Sequence, residues 1–394
     1  MKILLIDDEP FVLKLQARQL ANLGYADVSV CESAREALAR IAADPLCYEL
    51  VITDLQMPEM DGVEFVRELG RMEFCGGVVL VSGEDSRVLQ TAERLAKAHK
   101  LNVLGALQKP VQRGSLETVL QGVVERIATR ARPGRERTAD ELREAIEAGH
   151  LVNHYQPKVA IGSSDIVGIE TLVRWMHPTD GLIYPDRFIQ VAEDNGLIDA
   201  LTRSVLTMAL RQAREWEDAG MHLHVAVNIS MDNLGALEFP DFVAGAAKEA
   251  GVAPASLVLE VTESRLMKNV LVPLDILTRL RLKRVSLSID DFGTGHSSLK
   301  QLRDIPFDEL KIDGGFVHGA GQDAGLAAIF EASLSMAKHL GMRVVAEGVE
   351  DRADWDFLAK TGCDVAQGYF ICKPQKAADL PGWIAAWKAR GGPG

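Results

Sequence analysis

The chain has 394 residues, enough for two domains with separate cores, and its 47% hydrophobic and 25% charged residues are the balance of a globular protein. Its 56 acidic against 43 basic side chains leave a net charge of −13, which disfavours broad electrostatic binding to nucleic acid polymers or to an anionic membrane. No apolar run reaches the roughly 18 residues of a membrane span. The apolar stretch in MKILLIDDEP is too short for a signal peptide, and five cysteines without CxxC spacing fit reduced thiols, so a cytoplasmic protein is expected.

In chain order, KILLI, VSV, LVIT, GGVVLVS and NVLGAL read as short buried strands. Between them, PFVLKLQARQLANLG and SAREALARIAAD carry apolar residues at helical spacing. Such alternation predicts a doubly wound parallel sheet covered by helices on both faces. It ends near Arg126, where ERIATRARPGRERT, with five arginines and few apolar residues, reads as a solvated helix end and linker over 124–137. The domains are therefore 1–123 and 138–394, the second of the size of a (β/α)8 barrel.

In the first domain Asp7 and Asp8 follow KILLI, Asp54 follows LVIT, Ser82 follows VVLV, and Lys109 precedes Pro110. Residues just past the carboxyl ends of parallel strands line a common crevice. Three aspartates gathered there repel one another unless a hard cation binds them, and magnesium takes oxygen ligands. A single aspartate in such a place is an ordinary turn or cap residue; the combined pattern DD…DLQMPEMDG…SG…KP is far more specific.

This pattern resembles the receiver domain of two-component response regulators over residues 1–123. The resemblance implies Asp54 as phosphoacceptor and one magnesium held by Asp7 or Asp8 with Asp54. It also implies Ser82 and Lys109 at the phosphoryl oxygens, and a sensor histidine kinase as partner. Position 106, commonly an aromatic switch residue in receivers, is alanine here. Phosphorylation should then act through another element, either the segment Val123–Arg130 or a receiver–receiver contact.

Seven segments of the second domain share one grammar, an apolar run closed by a polar residue. IVGIETLVRW supplies Glu170 and Arg174, HVAVNIS Asn228, SLVLEVTE Glu260 and Glu263, and VSLSIDDFG Asp290 and Asp291. DELKID supplies Lys311 and Asp313, RVVAEGVE Glu347 and Glu350, and CDVAQGYF Gln367; an eighth, NHYQPKV, adds Gln156 near the start. Catalytic groups of a parallel barrel come from the carboxyl ends of several strands. Glu170, Asn228, Glu260, Asp290, Asp291 and Glu347 offer only oxygen, which suits magnesium or manganese over zinc. So many carboxylates call for two divalent ions, and the adjacent Asp290 and Asp291 could serve one each. Two ions about 3.5–4 Å apart suit phosphodiester hydrolysis. Lys311 can orient the water or neutralise transition-state charge, and Arg174 can fork onto a phosphate.

Other readings are weaker. GTGHSS lacks the third glycine of a dinucleotide loop, and acids precede it. His222 and His224 stand at the start of their strand, opposite the end that carries Asn228. Ser204, Ser230 and Ser297 have no histidine and acid at suggestive positions.

The motifs ETL, VNIS, EVTE, DDFGTG, KID, AEGVE and QGYF, in this order, resemble those of the EAL-domain cyclic di-GMP phosphodiesterases over roughly residues 138–385. The resemblance implies a TIM-like barrel that opens cyclic di-GMP to linear pGpG, and a homo-oligomer formed through this domain. It assigns two magnesium or manganese ions to the six oxygen ligands above, and water activation to Lys311 and Glu347. Gln156, Arg174, Asp313, Gln367 and Glu350 fall at the substrate, and Glu263 braces the DDFGTG loop. Three departures are visible: ETL for EAL, His296 where tyrosine is common, and Gly314–Gly315 where many relatives carry bulkier residues, which should loosen the turn after KID. A degenerate, binding-only domain would have lost a metal carboxylate or the Lys311–Glu347 pair; neither is lost.

Overall fold

The computed structural model describes all residues except 45–47, 73, 84–85, 100, 112–113, 115, 118, 121–136, 263–270, 294–298 and 393–394. The chain divides into two compact units, residues 1–135 and 136–394. The expected linker 124–137 falls almost wholly outside the described residues.

The first unit is a five-stranded parallel sheet of β1 (Ile3–Ile6), β2 (Val28–Cys31), β3 (Leu50–Asp54), β4 (Gly77–Ser82) and β5 (Asn102–Gln108), in the order β2-β1-β3-β4-β5. Its strands carry apolar residues on both faces, and each face has a core of its own. Ile3, Leu5, Leu50, Ile52, Val79 and Val81 pack to one side, and Leu4, Ile6, Val51, Val78 and Leu80 to the other. Helices therefore cover both sides, as the unbroken hydrophobic runs require. The order reverses direction between β1 and β3, and the acids of the motif lie at that switch point.

The second unit opens on a helix, Ala139–Glu147, started by a capping box in which Thr138 Oγ1 accepts from the Glu141 amide and the Glu141 carboxylate accepts from the Thr138 amide. Eight strands then close a barrel: β6 (Leu151–Ala160), β7 (Ile166–His177), β9 (His224–Ile229), β10 (Leu257–Thr262), β11 (Ser286–Phe292), β12 (Glu309–Ile312), β13 (Arg343–Ala346) and β14 (Val365–Ala366). Two short strands flank it, β8 (Gly181–Ile183) on β7 and β15 (Gln375–Lys376) on β6.

This corrects the expectation of a regular (β/α)8 barrel. β6 runs antiparallel to both neighbours, β7 and β14, while the other barrel pairs are parallel. The reason is local. Only residues 161–165 join β6 to β7, and a parallel crossover needs a dozen or more.

Strand periodicity sorts the side chains. Leu257, Leu259 and Val261, Leu287 and Ile289, and Leu310 and Ile312 join the core between barrel and helices. Their alternates, Glu260, Ser288, Asp290, Glu309 and Lys311, turn to the barrel axis, where they bond across it. Among the described residues no helix is long and apolar enough to cross a membrane.

Candidate functional site

In the first unit the strand ends bring Asp7, Asp8 and Asp54 together, with ligand atoms within 4.8 Å of one another. Lys109 Nζ lies 2.8 Å from Asp7 Oδ2 and 2.7 Å from Asp54 Oδ2. The Lys109 amide donates to the Ser82 carbonyl at 2.7 Å, which brings the buried Ser82 alongside. Burial pushes the Asp54 carboxyl up, against the pull of Lys109. Asp54 Oδ1 is buried without a hydrogen-bond partner, which suits a cation or an incoming phosphoryl group. A tight turn frames the aspartate: a Cβ on Gly62 would lie 2.5 Å from the Asp54 carbonyl oxygen, so the DG of the motif admits no larger residue there. Ala106 is partly buried against this unit's core.

In the barrel the centre is Lys311, 1% exposed. Its Nζ lies 2.7 Å from Glu347 Oε1, 2.9 Å from Asp290 Oδ1, 3.0 Å from Glu260 Oε2 and 3.7 Å from Glu170 Oε1. The carboxylates form two groups, Glu170–Glu260–Asp290 and Asp290–Asp291–Glu347, each with ligand atoms within 4.8 Å of one another. Asp290 belongs to both. Asn228 Nδ2 donates to Glu170 Oε1 at 2.9 Å, which places the Asn228 amide, expected as a sixth ligand, beside the first group.

Adjacent residues of a strand normally point to opposite faces, so Asp290 and Asp291 need a device to share one mouth. β11 carries it. Ile289 pairs with Leu310 but Phe292 with Ile312, one residue too many, and Asp291 takes up the slack at φ +55°. This bulge turns a strand position that faces the helices into one that faces the site.

The glutamines stand behind Glu170. Gln367 Nε2 donates to Glu170 Oε2 at 2.5 Å and to Gln156 Oε1 at 3.1 Å, and Gln156 Nε2 donates to the Cys372 carbonyl at 2.9 Å. Gln367 Oε1 is buried and unpartnered. Arg174, buried, donates to the Val173 carbonyl and lies under the exposed Tyr184 ring at 4.9 Å. Asp313 caps the turn after β12 by accepting from the Gly315 amide at 2.9 Å, which ties the turn that two glycines were expected to loosen. Glu350 is exposed, 3.9 Å from His318 Nε2. Glu263 and His296 lie outside the described residues.

Three residues of this layer, Lys158, Glu309 and Arg343, went unremarked in the sequence. Lys158, buried on β6, donates to Glu260 Oε1 at 2.5 Å and Glu309 Oε1 at 3.1 Å, and Arg343 reaches Glu309 Oε2 at 3.2 Å. The signal was there: Gln156 and Lys158, and likewise Glu309 and Lys311, are polar pairs two apart inside apolar strands, the mark of an inward face.

The electrostatics test the site against divalent ions. Six carboxylates (Glu170, Glu260, Glu309, Asp290, Asp291, Glu347) face three cationic side chains, Lys158, Lys311 and Arg343. Burial and the negative charge of Asp290 and Glu170 push Glu347 up to about 8, against the pull of Lys311. Burial, Asp290 and Asp313 push Asp291 up to about 6. Burial would raise Glu260 as well, yet Lys158 and Lys311 outweigh it and bring it down to about 2. Burial pulls the Lys311 ammonium down, and the surrounding carboxylates more than restore it, well above the ordinary value. Among the described residues, these protein cations alone leave the carboxylates short of positive charge. The oxygen-only donors suit hard divalent cations, and the Asp7–Asp8–Asp54 group fits one in the same way.

Comparison with known proteins agrees with this geometry. The model of the EAL domain matches residues 139–374, and that of the response regulator receiver domain residues 3–121. The chain is 30% identical to the cyclic di-GMP phosphodiesterase RocR of Pseudomonas aeruginosa, over 95% of this chain and 96% of that protein. It is 44% identical to the cyclic di-GMP phosphodiesterase NbdA of the same organism, over 63% of this chain. The chain spans 32% of the length of NbdA and 36% of MucR, a bifunctional diguanylate cyclase/cyclic di-GMP phosphodiesterase of that organism. Among solved structures, the MucR phosphodiesterase in complex with c-di-GMP is 42% identical and superposes with a TM-score of 0.59, covering 61% of this chain and 98% of that one.

Proposed function

Since the chain belongs to the EAL-domain family and carries a response regulator receiver domain, we propose that it hydrolyses cyclic di-GMP to linear 5′-pGpG, at a rate modulated by phosphorylation of Asp54. The observation that carries the reading is the pair of carboxylate groups sharing Asp290, the arrangement a two-ion phosphodiesterase requires.

Glu170, Asn228, Glu260, Asp290, Asp291 and Glu347 would hold two magnesium or manganese ions, which when bound would supply Lewis acidity toward the scissile phosphate and make the attacking water more acidic. The chain's own residues do the rest. Glu347, hydrogen-bonded to Lys311, accepts the water proton on its carboxylate. Lys311 donates toward charge developing on the phosphate oxygens. Gln367 supports Glu170 and is itself bonded to Gln156, and Gln156, Gln367, Arg174, Asp313 and Glu350 take the substrate. Asp54, with Asp7 or Asp8, one magnesium, Ser82 and Lys109, takes a phosphoryl group from a sensor histidine kinase in the cytoplasm. Alanine at 106 has no rotamer to switch, so the signal passes by quaternary rearrangement of a homo-oligomer formed through the barrel domain.

The test is direct. Purified protein incubated with cyclic di-GMP and magnesium or manganese should yield pGpG on chromatography, and EDTA should stop the reaction. Cleavage undiminished by EDTA would sink the two-ion reading.

A further inference from the structure

We infer that Asp354 is a positioning residue for the reaction site, a clamp that holds the segment following Lys311 and β12 and the loop Glu347–Glu350 in fixed relation. Asp354 stands in the first turn of the helix Arg352–Thr361 and is 2% exposed. A carboxylate in a first helical turn is usually solvated, its charge serving the helix dipole. This one is turned away from water onto three donors from outside its own helix. Oδ1 accepts from the Gly319 amide at 3.0 Å; Oδ2 accepts from the Glu350 amide at 3.0 Å and from His318 Nδ1 at 2.9 Å. Two of these donors follow β12 and Lys311, and the third is the backbone of Glu350, three residues past Glu347. Fixing a buried charge with charge-assisted bonds gives directional hold on both loops at once.

A second feature shows that the spacing of these loops is tight. A Cβ on Gly348, whose φ is +63°, would lie 2.7 Å from Gly314 Cα, and a Cβ on Gly314 would lie 3.1 Å from Gly348 Cα. The backbones touch just beyond the catalytic pair, where the Glu347 amide also donates to the Ile312 carbonyl at 3.1 Å. At this point of closest approach only glycines meet. Asp354 sets the spacing from the far side. His318, held by Asp354, also places its Nε2 toward Glu350 Oε2 at 3.9 Å, so the clamp reaches a residue at the substrate rim. Releasing it frees the 2.7 Å contact of Lys311 with Glu347 to lengthen, and a misplacement of about 1 Å costs on the order of 10²-fold in rate.

The inference rests on the proposed phosphodiesterase reading, and the experiment separates the two. Asp354→Ala, Asp354→Asn and Asp351→Ala are compared with the parent in kcat, KM, thermal midpoint, Mn2+ affinity by calorimetry, and hydrogen exchange of the Gly319 and Glu350 amides. Asp351 caps the same helix through the Asp354 amide and lies near His318, but its carboxylate makes none of the three bonds of Asp354, so its loss weakens the helix and removes a nearby charge while leaving those bonds their partners. Asp354→Ala should lower kcat by about tenfold to a hundredfold, weaken Mn2+ binding, and speed exchange at both amides. Asparagine, with one carbonyl oxygen to serve two amides, should fall between. Asp351→Ala should lose thermal stability yet keep the parental kcat. Parental kcat and KM in Asp354→Ala, or losses in Asp351→Ala that match it, would overturn the clamp. If the parent does not cleave cyclic di-GMP, the substrate reading fails by itself. The clamp is then upheld by weaker Mn2+ binding in Asp354→Ala than in Asp351→Ala, and overturned by equal binding.

Discussion

The crevice of the first unit and the mouth of the barrel are made of the same parts, carboxylates at the ends of parallel strands around a lysine, and they differ in enclosure. In the open sheet Lys109 keeps 21% of its side chain exposed and meets two aspartates. In the closed barrel Lys311 keeps 1% and meets four carboxylates, with Lys158 buried beneath on a fifth and on Glu260. An open edge gathers ligands from three neighbouring strands and stays accessible to a phosphodonor. A closed ring gathers them from the whole circumference and excludes water, so every charge there depends on the others. Enclosure, not residue type, separates a crevice with one candidate carboxylate group from a mouth with two among the described residues.

Breaking the barrel side should give the largest effects. Asp290→Ala removes the ligand common to both carboxylate groups, so both ions should be lost together. With several kcal/mol of charge stabilisation per ion, turnover should fall by about 10⁴-fold or more. Calorimetry with Mn2+ should show the stoichiometry dropping by more than one; a drop of one would deny Asp290 its shared place.

Glu347→Gln keeps shape and removes the proton acceptor, so kcat should fall by about 10²–10⁴-fold while cyclic di-GMP binding stays measurable. Parental kcat would remove Glu347 from proton transfer.

The third test concerns stability. Lys158→Met strips one of two cationic partners from each of Glu260 and Glu309, both enclosed, and should cost up to roughly 3–5 kcal/mol in denaturant unfolding of the barrel. Lys109→Met, at the more open crevice, should cost clearly less. Equal losses would mean that enclosure does not set the strength of these pairs.

The receiver side should give a smaller, regulatory effect. Comparing parent and Asp54→Ala with and without a phosphodonor should show a rate change within the ordinary coupling range of about 1–3 kcal/mol, absent in the variant. Identical turnover throughout would disconnect Asp54 from the barrel.

The smallest effect is in pH. His318 is raised by its hydrogen bond to Asp354, opposed by burial and aided by the charges of Asp354, Glu350 and Asp351. A raised histidine contributes stability that is complete below its unfolded value of about 6.5 and is lost as pH rises through the folded value. Asp354 is lowered: burial opposes the shift, and His318 with the Glu350 and Gly319 amides outweighs it, so its share persists above about 3.9 and is lost only in acid. For a half-exposed imidazole the sum should stay below about 1 kcal/mol. His318→Gln should therefore lower the thermal midpoint in mildly acid buffer and not in alkaline buffer. A difference independent of pH would assign the effect to packing.

Much was legible in the residue order because strand alternation is local. Apolar runs closed by Glu170, Asn228, Glu260, Asp290, Lys311, Glu347 and Gln367 announced strands with functional ends, and Asp7, Asp54 and Lys109 did the same for the sheet. Polar residues two apart could have disclosed Lys158 and Glu309 too, by the same period. What no local pattern contained was closure. The five residues between β6 and β7 set the direction of β6, but that it closes the barrel follows from its pairing with β14, more than two hundred residues away. That Asp290 and Asp291 share one mouth follows from a bulge measured against β12. That Asp354 clamps two loops follows from bonds to residues 35 and 36 positions earlier. Side-chain period is a property of each strand alone, so the sequence determines which residues face inward. Which of them meet depends on long-range pairing and loop closure, and only the tertiary structure decides it.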